Sequence, residues 1–270
     1  MKNILVHIHD DDSLESRLQV ALDLVRQHEG HLTCVQNLPI QDYALSEPIS
    51  GFSAVGTIFE EMQKIADRLR EGLEARLQNE GISWSWIESV SDTNSALLSA
   101  SALADLLVVS QYPGAKDALR RPLPIPRDIA LRVSCPMLVV PAEIHSMPCE
   151  GPVVVAWNGS IEAAHILRQS LPFLAKASRV EIVAVGEDNG TLSQQAASQY
   201  LSRHGIDSML HQLPVQNGSV SKTLHQKATE MNACALVIGA YGHSRFREAL
   251  MGGVTEDLLT GSRIPLILGH

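Results

Sequence analysis

Four glycines near the end of the chain, Gly239, Gly242, Gly252 and Gly253, directly follow the apolar run Ala235-Leu236-Val237-Ile238. A run this short and this rich in branched residues reads as a buried strand. Glycine lets the main chain approach a ligand closely. The helix that Val254-Thr255-Glu256-Asp257-Leu258-Leu259 would begin has unpaired N–H groups in its first turn. Strand, open loop and helix start together form a receptor for an anion, and phosphate is the natural guest. His243, Ser244 and Arg245 lie inside the loop, near enough in sequence to meet phosphate oxygens, while Arg245 and Arg247 suit a solvated helix face equally well. The glycines have a competing reading as plain turn formers at the top of a sheet.

A second chemically loaded run is His7-Ile8-His9-Asp10-Asp11-Asp12. Two imidazoles two residues apart share one face of a strand, and with three carboxylates behind them they could hold a divalent metal. Burial of a hydrogen-bonded histidine and an acidic turn capping a helix near Ser13 or Leu14 explain the run more simply, so no metal is expected. Catalysis finds little support. The chain has no G-x-S-x-G elbow, no lysine closing a glycine-rich phosphate loop and no Ser/His/Asp spacing that defines a triad. Slow ATP hydrolysis is the most that such a site would be expected to show.

The elements that must hold the glycine loop alternate strand and helix, the pattern of a parallel sheet covered on both faces. In the second half the strands are expected at Val153–Trp157, Val180–Val185, Ser208–Leu213, Ala235–Ala240 and Pro265–Leu268. Helices are expected at Ile161–Leu174, capped by Ser160, and at Ser193–His204, before Gly205. The first half repeats the pattern. Leu107-Val108-Val109-Ser110-Gln111-Tyr112-Pro113 aligns without gaps on Leu236-Val237-Ile238-Gly239-Ala240-Tyr241-Gly242, and Leu18 aligns on Leu167. The first copy carries about 25 more residues between its second strand and second helix. In this copy Phe59 to Gln78 reads as a long charged helix, and the stretch from Pro39 to Thr57 reads as a loop or lid. The copies are placed at residues 1–141 and 152–270, with Pro141–Pro152 as linker.

The copies differ where the chemistry lies. Gly239, Gly242, Gly252 and Gly253 face Ser110, Pro113, Leu123 and Pro124 in the first copy, and Thr255 faces Pro126. Proline removes the N–H donors an anion needs, so the first copy is not expected to hold a triphosphate in the same way. Residues 1–141 also carry 12 basic against 19 acidic side chains.

The spacing G-x2-G-x9-G-x-V-T after a fourth strand resembles the ATP-binding signature of the universal stress protein family. Val153-Val154-Val155-Ala156-Trp157-Asn158-Gly159-Ser160 resembles that family's first strand and turn. The family usually has Asp at Asn158 and Ser or Thr at Gly253. The resemblance implies a tandem protein of two Rossmann-like domains, of the adenine nucleotide alpha hydrolase type, each a five-stranded parallel sheet with helices on both faces. It implies ATP or a related adenine nucleotide in the second domain, with Mg2+ as an optional companion. Ala156, Trp157, Asn158 and Val185 would lie around the base, and Ile238, Gly239, Gly242, His243, Arg245, Gly252, Gly253, Val254 and Thr255 around the ribose and phosphates. It implies a nucleotide-dependent regulatory role in stress response. Pairing of Met137–Val140 with Pro265–Leu268 would make the monomer a pseudo-dimer, with homodimerisation open. In the first copy Asp10 is the best match for the family's Asp, unless the alignment slips by one. A scaffold that holds no nucleotide and a slow nucleotide hydrolase are the alternatives.

Composition agrees with a binding protein. The 270 residues are 45% hydrophobic and suit two ordinary domains with a sizeable core. Met1-Lys2-Asn3 leads straight into Ile4-Leu5-Val6 with no cleavable leader pattern, so the cytoplasm is expected. A net charge of -9 argues against nucleic acid or an anionic membrane as partner. Cys34, Cys135, Cys149 and Cys234 lie far apart and read as thiols rather than disulfides or zinc ligands.

Overall fold

The computed structural model describes residues 1–38, 52–112, 125–148, 150–186, 190–216, 218–240 and 253–270, with backbone only for 52–58. The first half runs β1 (Asn3–Ile8), α1 (Leu14–His28), β2 (His31–Asn37), α2 (Phe52–Leu77), β3 (Ser83–Ser89), α3 (Thr93–Ala100), β4 (Leu106–Ser110), α4 (Ile125–Ile129) and β5 (Met137–Val140). The second half runs β6 (Pro152–Ala156), α5 (Ile161–Gln169), α6 (Leu171–Leu174), β7 (Arg179–Val185), α7 (Gln194–Arg203) and β8 (Ser208–Leu213). It ends with α8 (Val220–Glu230), β9 (Ala235–Gly239), α9 (Gly253–Gly261) and β10 (Leu266–Gly269).

The strands join one sheet in the order β3-β2-β1-β4-β5-β10-β9-β6-β7-β8. Within each half every pairing is parallel, and β5 meets β10 antiparallel, with Leu138 beside Ile267. Inner strands covered on both faces need apolar residues at successive positions, which is why runs such as Leu106-Leu107-Val108-Val109 and Ala235-Leu236-Val237-Ile238 are buried throughout. Ile4, Val6 and Ile8 pack with Leu18, Leu22 and Val25 of α1 on one face. Leu5, Leu107 and Val109 pack with Leu97 of α3 and with Ile125 and Ile129 around α4 on the other.

The two halves share a register. Ile4 stands between Leu32 and Leu106, and Val153 stands between Val180 and Ala235. Position by position, His7 therefore corresponds to Ala156, His9 to Asn158, Asn37 to Val185 and Ser110 to Gly239. His9, not Asp10, matches Asn158, so the sequence alignment slips by one residue at the turn.

Several boundaries differ from those expected. The helix expected from Ile161 to Leu174 breaks at Ser170, because Pro172 has no N–H to continue the ladder and instead opens α6. Helix α2 begins at Phe52, so residues 52–57 are helical rather than loop, and 39–51 lie outside the described residues. Pro152, expected to close the linker, opens β6, a strand position where its missing donor is tolerated. Ser13 makes no side-chain cap on α1; its own N–H donates to Asp11 Oδ1 at 2.8 Å. Cys34, Cys135 and Cys234 are buried and free, and burial pushes the first two thiols up to about 12 and the third to about 11, which keeps them protonated and unreactive. Cys149 lies outside the described residues.

His28, in the last turn of α1, reports the packing of this half through pH. Burial lowers its pKa to about 4, and its Nε2 has no partner. Unfolded, the ring titrates at about 6.5, so between those values the unfolded chain holds a proton that the folded one does not. That imbalance makes stability fall as pH drops from about 6.5 to about 4 and level off below, as far as His28 is concerned. Urea unfolding across this range is expected to show the fall, and His28→Gln to flatten it.

Candidate functional site

In each half the chain crosses from β1 to β2 on one side and reaches β4 on the other, or from β6 to β7 and to β9. Where neighbouring strands send their connections in opposite directions, a crevice opens beyond their carboxyl ends, and ligands of open α/β sheets bind there. The crevices lie between β6 and β9 in the second half and between β1 and β4 in the first.

The second-half crevice is lined by backbone drawn unusually close. Trp157, buried after β6, donates its main-chain N–H to Val183 O at 2.8 Å and its indole Nε1–H to Leu192 O at 3.0 Å. Asn158 is exposed, and its Oδ1 accepts the N–H of Ser160 at 3.1 Å, shaping the turn. Gly159 has φ +68, and a Cβ there would meet Gly190 Cα at 2.6 Å, so the chain at 190–192 lies directly on the turn. Ser160 caps α5, its Oγ accepting from Ala163 N at 3.1 Å. Across the crevice a Cβ on Gly239 would fall 2.6 Å from Ala163 N, so only glycine lets the end of β9 pass this close to the head of α5. Ala156 and Ile238 are buried, and Val185 is half-buried at the end of β7.

Gly253 opens α9 and is exposed, and nothing lies within 4 Å of where its Cβ would stand. Among the described residues none stands against Gly253, and the first turn of that nine-residue helix carries N–H groups without helical partners and the positive end of the helix dipole. Val254 packs against the core and Thr255 is buried. Gly242, His243, Arg245 and Gly252 lie outside the described residues, so nine of the thirteen residues singled out from sequence have described positions, at the carboxyl ends of β6, β7 and β9 and the head of α9. Sequence reasoning missed the cover of Gly190 and Leu192 on the turn. It also missed the bond from Ser221 Oγ to Asp257 Oδ2, 2.8 Å, that ties the head of α8 to α9. Neither carries a local sequence signal, since both depend on contacts between separate segments.

The first-half crevice is filled. Arg17, fully buried, donates from Nε to His7 O at 2.6 Å and from Nη2 to His9 O at 2.7 Å. Its Nη1 meets Asp11 Oδ1 at 2.8 Å, Oδ2 at 2.9 Å and Ser110 Oγ at 2.8 Å. The guanidinium thus bridges the ends of β1 and β4, and the Arg17 and Asp11 side chains are 0% and 1% exposed. At the corresponding places the second half has Ile166, Ser160 and Gly239, a set that makes no such bridge. Burial, and then the nearby Arg17 charge, hold His7 well below its ordinary pKa, so the ring is neutral. His7 and His9 stack with centroids 5.8 Å apart, and among the described residues no three His, Cys, Asp or Glu side chains group as a metal site.

Residues 151–269 match the model of the universal stress protein family. Among solved structures, a universal stress protein from Archaeoglobus fulgidus shares 16% identity over 99% of this chain and 96% of its own, with a TM-score of 0.74. A solved structure from Pseudomonas aeruginosa shares 18% identity over 100% of this chain and 93% of its own, with a TM-score of 0.58. At these identities the likeness speaks for the fold. No curated protein matches the chain. Among the described residues no helix is long and apolar enough to cross a membrane.

The Arg17 bridge sets a measurable cost. Asp11→Ala leaves a buried guanidinium without its counter-charge and is expected to cost about 3–5 kcal/mol in urea unfolding. The paired change Arg17→Met with Asp11→Leu removes both charges and is expected to restore most of that loss, as a double-mutant comparison would register.

Proposed function

With residues 151–269 a universal stress protein domain, we propose that the second half binds ATP or a related adenine nucleotide and acts in stress response as a nucleotide-dependent regulatory protein. The observation that carries this reading is the contrast between the two crevices: the first is bridged by Arg17 and Asp11, while the second has Ile166, Ser160 and Gly239 at those places and Gly253 clear of other described residues at the head of α9. In this reading residues 1–141 and 152–270 are two domains, and only the second holds nucleotide. The base lies against Ala156, Trp157, Asn158 and Val185. The ribose and phosphates run past Ile238, Gly239 and Gly242 to the N–H groups of Gly252, Gly253, Val254 and Thr255, with His243 and Arg245 as additional phosphate contacts and Mg2+ beside the phosphates. Gly253 lacks a hydroxyl but keeps its amide, so the site loses about 1 kcal/mol of hydrogen bonding rather than its geometry. Regulation follows if the bound nucleotide alters the surface offered to a protein partner in the cytoplasm.

Isothermal titration is expected to find one tight adenine-nucleotide site per chain, abolished by Gly252→Val with Gly253→Val, whose side chains would occupy the space the phosphates need. Two equivalent sites, or unchanged affinity in the double variant, would contradict the reading.

Asn158 tests the base. Its Oδ1 already accepts from Ser160 N, and a carbonyl oxygen has a second lone pair for the adenine amino group. Asn158→Leu is expected to weaken ATP by about 1–3 kcal/mol and GTP by less, because guanine presents an oxygen there. Equal losses would mean that Asn158 serves only the turn.

A further inference from the structure

The sheet ends on β3 at one side and on β8 at the other, and the two edges are built differently. β3 has charge beside it. Glu88 Oε1 accepts from Arg70 Nη1 of α2 at 2.8 Å, and the same guanidinium lies over the Trp86 ring, 5.7 Å from its centroid. Charges on an edge discourage pairing with another chain. β8 reads Ser208-Met209-Leu210-His211-Gln212-Leu213, with no Lys, Arg, Asp, Glu or Pro. Its apolar side chains stand in the open, Met209 at 55% and Leu210 at 38%, with Val215 just beyond the strand at 44%. Its histidine is spoken for: His211 Nε2 meets the buried carboxylate of Glu181, which Arg179 Nε also reaches at 2.8 Å. An apolar edge strand without guarding charges is a template for one more strand.

The ladder decides which backbone groups β8 offers. Gly186 N donates to Leu213 O at 2.9 Å, and parallel strands bond through alternate residues, so Met209, His211 and Leu213 turn their N–H and C=O groups towards β7. Ser208, Leu210 and Gln212 turn theirs outward. A second copy of the same strand fits this edge. Run antiparallel about Leu210, it sets the partner's Leu210 beside Leu210, the partner's Gln212 beside Ser208 and the partner's His211 beside Met209. Apolar then meets apolar, amide meets hydroxyl, and no like charges are opposed. The molecule already uses this construction once, where β5 and β10 join antiparallel. Pairing of β8 with the β3 edge of another copy would instead be head to tail, would leave a fresh edge at each addition, and would bring in the Arg70 and Glu88 charges.

We propose that β8 is a self-association surface through which two copies of this chain pair edge to edge, antiparallel about a two-fold axis at Leu210, into one continuous sheet. The contact is closed at two copies, and it stands on β8 whether or not the second half binds a nucleotide. Because it is one strand wide and each copy carries a net charge of -9, the pair is weak and tightens as salt screens the repulsion.

Sedimentation velocity of the full chain from micromolar to millimolar concentration tests this, together with hydrogen–deuterium exchange read by NMR on the 15N-labelled protein. Dimer is expected to grow with concentration and to stop at two copies. The outward amides of Leu210 and Gln212 are expected to exchange at least ten-fold more slowly in concentrated than in dilute solution, while the amides of β3 keep their rates. Leu210→Lys sets two ammonium groups against each other at the axis, and is expected to raise the dissociation constant at least ten-fold while leaving the thermal melt cooperative, since Leu210 is exposed. Three results would each overturn the proposal: a monomer at every concentration, a dimer as tight in Leu210→Lys as in the parent with the Leu210 amide unprotected, or assemblies that grow beyond two copies. The first, with protection of Leu210 appearing only when an extended apolar peptide of unrelated sequence is added, would assign the edge to a foreign strand instead.

Discussion

A five-stranded parallel sheet ends in a strand whose outer N–H and C=O groups have no partner, and here two such ends meet. β5 and β10 pair antiparallel, Val139 beside Leu266 and Met137 beside Leu268, and every one of these side chains is buried. The pairing converts two exposed edges into the centre of one sheet, which removes the commonest liability of an open sheet. It also fixes how the halves face one another. Because the joint is antiparallel, the carboxyl ends of β1 and β4 point opposite to those of β6 and β9, so the two crevices lie at opposite ends of the sheet. Gln111 Nε2 donating to Ser262 O at 3.0 Å and Arg127 near Glu256 tie the halves beside the joint.

Within that frame the halves use equivalent positions for different ends. In the second half, glycine at 239 lets β9 run against the head of α5, and Ala156, Val185 and Ile238 at the neighbouring strand ends are apolar. In the first half, serine replaces that glycine, and its hydroxyl becomes one of the groups that receive Arg17. A buried ion pair is expensive to desolvate and is retained only with its hydrogen bonds complete. Arg17 meets that condition, since both β1 carbonyls, Asp11 and Ser110 all accept from it. At this point in the fold the first half carries a hydrogen-bonded ion pair, and the second half has Ile166, Ser160 and Gly239 instead.

The inner strands of each half were legible because buried parallel strands must be apolar at successive positions, and Val153-Val154-Val155 or Leu106-Leu107-Val108-Val109 leave little choice. The glycines were legible as a loop before a helix, and Gly253 does open α9. Helix ends were less so: the break at Ser170 depends on Pro172 two residues on, and Phe52–Thr57 hid a helix start among residues typical of loops. The Arg17 bridge could not be read at all. Asp11, Arg17 and Ser110 are scattered along the chain and come together only when β1 and β4 pair, so His7-Ile8-His9-Asp10-Asp11-Asp12 suggested a metal or a cap while one of its carboxylates serves as a counter-ion.

The central claim is that one crevice of the pair is open to a nucleotide and the other is closed by the chain itself. A crystal structure of the protein grown with ATP and Mg2+ tests it most directly. The account predicts phosphate density at the head of α9, with the base against Val185, and an intact Arg17–Asp11 pair between β1 and β4. Nucleotide density at both crevices, or at the first alone with Arg17 displaced, would contradict it.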